Sequence, residues 1–132
     1  MILDHIGIAV RSIEKRLDIW KDALGLNLIG VEEIPNQKVK IAKLDAHGTN
    51  IELLEPIDKD SPIFKFIEKR GEGIHHLCFQ VPDIEKALTE IKDQGIRLID
   101  EVPRIGAGGN KIAFIHPKDM GGVLIELSQK EN

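Results

Sequence analysis

Apolar and polar residues alternate with period two through Asp4-His5-Ile6-Gly7-Ile8-Ala9-Val10. Such alternation marks a strand with one buried face. Ile6, Ile8 and Val10 form that face, and His5, Gly7 and Ala9 form the other. The design returns at Gly73-Ile74-His75-His76-Leu77-Cys78-Phe79-Gln80-Val81. There Leu77, Phe79 and Val81 share the core face, and His76, Cys78 and Gln80 share the opposite one. Each strand thus offers a histidine beside small neighbours that leave room in front of it.

Between these strands the pattern changes to helical spacing. Ile13, Leu17, Trp20 and Leu24 predict a helix over 12–24, with Ser12 as N-cap and Gly25 as stop. Strands are expected at 26–33, 38–44 and 51–55, with turns at Pro35-Asn36 and 46–50 and an end at Pro56. Residues 58–73 read as a connector holding a short helix that begins at Ser61-Pro62 and ends at Gly71 and Gly73. After the second histidine strand, Asp83 caps a helix with Ile84, Leu88 and Ile91 on one face, and Gly95 stops it. Strands at 96–99, 111–115 and 123–127 complete the chain, separated by a Gly-rich loop (105–110) and a turn at 116–122.

The two halves repeat. Val10-Arg11-Ser12-Ile13-Glu14-Lys15 answers Val81-Pro82-Asp83-Ile84-Glu85-Lys86 at the offset of 71 that also relates His5 to His76. Ile51-Glu52-Leu53 answers Ile125-Glu126-Leu127 at an offset of 74. The expected fold class is therefore α+β: two β-α-β-β-β modules, about 1–57 and 74–132, within one domain spanning 1–132. Their strands are expected to form a curled mixed sheet around a metal-binding cleft.

Each module places a His on its first strand and a Glu on its last. A carboxylate inside an apolar strand costs several kcal/mol unless it is paired or coordinated. His5, Glu52, His76 and Glu126 are expected to converge and hold one divalent ion. Two imidazoles and two carboxylates suit Co, Ni, Mn, Zn or Fe and leave positions for water or substrate. His75 falls on the core face and reads as structural, while His47 and His116 lie in turns as polar loop residues. Cys78 reads as a small residue giving clearance.

Composition narrows the partners. The chain has 132 residues, 42% hydrophobic and 30% charged, with a net charge of -4. That balance fits a globular domain with a substantial core and lacks the basic footprint of a nucleic-acid binder. No apolar run approaches the ~20 residues of a membrane helix, and nothing at Met1-Ile2-Leu3-Asp4 reads as a signal peptide. The single cysteine excludes an internal disulfide and fits a cytoplasmic setting.

Five stretches carry a family resemblance: 4–10, 51–56, 73–79, the long segment 105–118 (Ile-Gly-Ala-Gly-Gly-Asn-Lys-Ile-Ala-Phe-Ile-His-Pro-Lys), and 121–127. With them the chain resembles the vicinal oxygen chelate superfamily (glyoxalase/bleomycin-resistance/dioxygenase) and, within it, the methylmalonyl-CoA epimerases. The double histidine and the Gly-rich segment ending in His-Pro-Lys are the closest to the epimerases.

The resemblance implies metal ligands at His5, His76 and Glu126, with Glu52 in the fourth position, and a divalent cofactor, cobalt first. It implies an acyl-CoA substrate whose C2 proton is removed to give a metal-stabilised enolate and returned to the other face. Glu126 and Glu52 would be the two bases, and Arg104, Lys111 and Lys118 candidate contacts for the CoA arm. It also implies a homodimer. Some members have a further Glu in the strand at 38–44, which here reads Lys-Val-Lys-Ile-Ala-Lys-Leu and has none. Glyoxalase I is the alternative activity, using a similar ligand set. An Fe(II) extradiol dioxygenase would need only His5, His76 and Glu126, and a drug-sequestering module of this fold would need no ligand set.

Overall fold

A computed structural model describes residues 1–130. The elements run β1 (Ile2–Ala9), α1 (Ile13–Leu17), β2 (Asn27–Ile34), β3 (Val39–Asp45), β4 (Asn50–Pro56), α2 (Pro62–Arg70), β5 (Gly73–Gln80), α3 (Ile84–Asp93), β6 (Arg104–Ile105), β7 (Lys111–Ile115) and β8 (Ile125–Gln129). The α+β class and the doubled β-α-β-β-β order are those expected from the pattern. The chain forms two compact units, one of His5–His75 and one of Met1–Asp4 with the chain from His76 onward. No helix among the described residues is long and apolar enough to cross a membrane.

In the His5–His75 unit the strands lie in the order β2-β3-β4-β1. The β1–β4 pair is parallel and the others are antiparallel. One sheet face buries Ile8, Val10, Ala42, Leu44 and Leu53 against Ile13, with Leu17 and Trp20 packed beside them. The other unit repeats the plan in the order β5-β8-β7-β6, with β5–β8 parallel. Its core joins Val81, Ala113, Ile115, Ile125 and Leu127 to Ile84 and Leu88 of α3, with Leu77 and Phe79 against them. Fully buried aliphatics such as Leu44, Leu53, Ile84 and Leu127 each contribute about 1.5–3 kcal/mol. In both units the helix covers the aliphatic face, and the histidine stands on the other.

The repeat extends to single hydrogen bonds. Ser12 Oγ accepts from Lys15 N, and Asp83 Oδ1 from Lys86 N, as N-caps of α1 and α3. Ile13 N donates to Glu55 Oε1 and Ile84 N to Gln129 Oε1, both at 2.8 Å. Val10 N donates to Leu54 O and Val81 N to Ser128 O. Each first strand is thereby sewn to its last strand just before its helix begins. Helix N-termini leave N–H groups without intrahelical partners, and a side chain from the neighbouring strand satisfies one of them.

Four elements depart from the sequence pattern. The helix expected over 12–24 is α-helical only to Leu17 and continues as a wider π-turn over Asp18–Ala23. There Leu24 N reaches back to Ile19 O, and Leu26 N to Trp20 O. The strand expected at 96–99 is reduced to one bridge, Leu98 to Ile115. Arg97 N is drawn off to Asp119 Oδ2, and Ile99 N and Asp100 N both go to Phe114 O. The paired strand beside β7 is instead the two-residue β6. The last strand runs Ile125–Gln129 rather than 123–127, because Gly121 and Gly122 hold left-handed φ values of 69° and 86° that delay the ladder.

Between α2 and β5, Glu72 ties the start of the histidine strand to β1 and α1. Its carboxylate accepts from Arg11 N at 2.7 Å and from the Arg16 guanidinium at 2.6 Å. The Arg16 hydrogen bond, then the Arg11 N–H, hold the Glu72 carboxyl below its ordinary value against the opposing effect of burial. A depressed carboxyl pKa stabilises the fold above the unfolded-chain value, and that gain is lost as pH falls through the folded-state value. Glu72→Gln should therefore lower Tm at pH 7, and the difference from the unsubstituted protein should vanish below the ordinary carboxylate range. A difference that stays constant across that titration would show that packing, not charge, is responsible.

Candidate metal centre

Register explains how each histidine meets its glutamate. In the first unit Gly7 pairs with Glu52 across the parallel β1–β4 ladder. In the second, Cys78 pairs with Glu126 across β5–β8. Paired residues share a sheet face, and so does the residue two positions upstream. His5 and His76 are those upstream residues, so each is directed toward the carboxylate of the adjacent strand. His5 Nδ1 lies 3.2 Å from Glu52 Oε2, and His76 Nε2 lies 3.0 Å from Glu126 Oε1.

All four side chains are buried: His5 is 7% exposed, Glu52 5%, His76 5% and Glu126 7%. A buried carboxylate without a partner is strongly destabilising, and an imidazole offers it only one N–H. Each pair therefore concentrates lone-pair donors on a face where an aliphatic residue would stabilise the fold more. Imidazole nitrogen with carboxylate oxygen is the donor chemistry of borderline divalent ions. Gly7 and Cys78, opposite the two glutamates, present little bulk. Cys78 is fully buried and its thiol is free of any disulfide.

The other histidines stand apart from these pairs. His75 meets the Phe66 ring edge-on at 5.0 Å, as a structural residue would. His47 sits in a turn with φ 57° and donates its N–H to Asp45 Oδ1. His116 caps the turn over Pro117–Met120 through Nδ1, which accepts from Lys118 N.

Two supporting residues were not singled out from the sequence. Phe114 pairs with Glu126 in the β7–β8 ladder and sets its ring edge-on to His76 at 5.9 Å. Asp100 holds that position by accepting from Phe114 N at 2.9 Å, and it also faces Arg104 Nε at 3.5 Å. The Arg104 guanidinium in turn lies 5.6 Å over the Phe114 ring. Phe114 was legible as a strand residue, but only the register shows that it adjoins the His76–Glu126 pair.

Comparison with known proteins gives these pairs a context. The chain is 39% identical to mitochondrial methylmalonyl-CoA epimerase of Homo sapiens over 96% of its own length and 73% of the relative's. The crystal structure of methylmalonyl-CoA epimerase from Mycobacterium tuberculosis superposes with a TM-score of 0.93 at 39% identity, covering 98% of this chain and 88% of that one. A methylmalonyl-CoA epimerase in complex with methylmalonyl-CoA and NH4+ matches with a TM-score of 0.91 at 35% identity, covering 98% and 94%. A probable lactoylglutathione lyase from Synechocystis is more distant, 29% identical over 98% of this chain and 95% of its own. The family model for the Glyoxalase/Bleomycin resistance protein/Dioxygenase superfamily matches residues 4–114. With its homologues among the methylmalonyl-CoA epimerases, the chain belongs to the glyoxalase/bleomycin resistance protein/dioxygenase superfamily.

Proposed function

We propose that this chain is a metal-dependent methylmalonyl-CoA epimerase, in which the two units act together as one domain. The observation that carries the reading is the duplicated His–Glu pair, buried at the same register in each unit of a chain whose relatives are such epimerases. Buried donors able to hold a metal ion occur in both units. His5, Glu52, His76 and Glu126 are the proposed ligands, and cobalt is the proposed ion. When bound, the ion supplies Lewis-acid stabilisation of charge that develops on the thioester oxygen.

The chemistry asks little else of the protein. The C2 proton lies between a thioester and a carboxylate, and inversion requires its removal from one face and delivery to the other. Glu126 and Glu52 are the proposed bases, one for each face, which matches their descent from equivalent strands. For each inversion one glutamate takes the C2 proton while the other, protonated, delivers its own to the opposite face. Both then re-equilibrate with solvent, so inversion carries solvent hydrogen into C2. Arg104, Lys111 and Lys118 are the proposed contacts for the CoA arm. Arg104 meets Asp100 at 3.5 Å and Lys111 meets Glu85 at 3.2 Å, so Lys118 is the most available of the three. A homodimer working in the cytoplasm completes the proposal.

Substrate choice tests it. The protein should turn over methylmalonyl-CoA and leave the glutathione–methylglyoxal adduct untouched, with activity lost to a chelator and restored by Co(II). Turnover of the adduct alone would replace the epimerase with glyoxalase I. Turnover unaffected by chelation would remove the metal from the account.

A further inference from the structure

The repeat breaks at one telling position. In the β7–β8 ladder the residue paired with Glu126 is Phe114, and in the β3–β4 ladder the residue paired with Glu52 is Lys43. Directly paired residues on antiparallel strands project from the same face. Lys43 therefore stands on the His5–Glu52 face of its unit, while its neighbours Ala42 and Leu44 turn into the aliphatic core.

Lys43 is half-buried, and its ammonium has no ion pair or hydrogen bond among the described residues. The nearest carboxylates along the ladder are already engaged. Glu52 faces His5, and Asp45 accepts from the His47 backbone N–H. The next pair on this face is Ile41 with Leu54, both buried, and Glu32, which pairs with Ile41 from the β2 side, is itself engaged. The cation therefore rises beside apolar surface flanked by one occupied carboxylate. Partial desolvation strengthens any charge-assisted contact that it makes.

We propose that Lys43 is a specificity-determining residue that binds the free carboxylate of the acyl group. This rests on the epimerase reading and deepens it. The thioester and carboxylate ends of a malonyl unit are both planar groups bonded to C2. A cation beside the His5–Glu52 pair, where the matching residue beside His76–Glu126 is a phenylalanine, distinguishes the anionic one. The anionic end is thereby assigned to the His5–Glu52 side. An acyl-CoA without the carboxylate leaves the ammonium unanswered.

The test compares ligands rather than turnover. Malonyl-CoA and propionyl-CoA, which differ in the carboxylate, are titrated calorimetrically into metal-loaded protein, with Lys43→Met and Lys43→Arg alongside. The unsubstituted protein should prefer malonyl-CoA. Lys43→Met should lose about 10–100-fold in malonyl-CoA affinity, as expected when one contact between charged groups is removed, and keep its propionyl-CoA affinity. Lys43→Arg should keep the preference. Equal metal content and melting curves exclude misfolding. A Lys43→Met protein that still prefers malonyl-CoA, or loses both ligands alike, overturns the proposal. Solvent exchange at C2 of methylmalonyl-CoA, followed in the unsubstituted protein, separates the two levels. If exchange is normal and the preference survives Lys43→Met, only the carboxylate site falls; if exchange is absent, the epimerase reading falls with it.

Discussion

Glu126→Gln should reduce C2 proton exchange from the enantiomer whose proton faces Glu126 by about 10²–10⁴-fold, the usual weight of a positioned general base. Gln keeps the length and a carbonyl acceptor 3.0 Å from His76 within reach, so the β5–β8 ladder and the His76 contact should survive. What it lacks is a site that can take a proton at neutral pH. The comparison with Glu52→Gln is informative. If each glutamate serves one face, each variant should retain exchange from a single enantiomer while losing inversion. Near-normal exchange from both enantiomers of methylmalonyl-CoA in Glu126→Gln would remove Glu126 as a base.

His76→Gln should weaken metal binding by more than the about 10–100-fold that loss of an outer-shell partner costs. Metal content after dialysis and competition with a coloured chelator would measure it. The same change withdraws the imidazole from Glu126, whose carboxylate is buried, and breaking a buried pair costs about 3–5 kcal/mol. The metal-free variant should therefore melt well below the metal-free parent. The matching change at His5 should do the same to Glu52. A His76→Gln protein that holds metal as tightly as its parent would place the ion elsewhere.

Much of this architecture is written in the sequence because the chain states it twice. Alternation alone sorts Leu77, Phe79 and Val81 from His76 and Cys78, and the packing of Leu77, Phe79 and Val81 in the second core follows that split. The offsets of 71 and 74 likewise mark His5 and His76, and Glu52 and Glu126, as equivalent positions of the repeat. Ser12, Ser61 and Asp83 act as the N-caps their residue types suggest.

The misread elements are those decided by competition for partners far along the chain. Ile96, Arg97, Leu98 and Ile99 alternate like a strand, yet their backbone groups find Asp119 and Phe114 as individual partners, and only Leu98 forms a bridge. The two residues that do pair with β7, Arg104 and Ile105, are too few to show a period. The π-turn at Asp18–Ala23 is similarly hidden, because a six-residue segment cannot distinguish its wider pitch from an α-helical one by apolar spacing. Register was also invisible. It is what sets Lys43 and Phe114 against the two glutamates, and so what distinguishes two halves that otherwise match.

The most direct measurement is to incubate the cobalt-loaded protein with (2R)-methylmalonyl-CoA in deuterated water and follow configuration and label at C2. Inversion accompanied by deuterium uptake, both abolished by chelation, is the predicted result. Retention of configuration with an unlabelled C2, in protein shown to hold its metal, would contradict the proposed function.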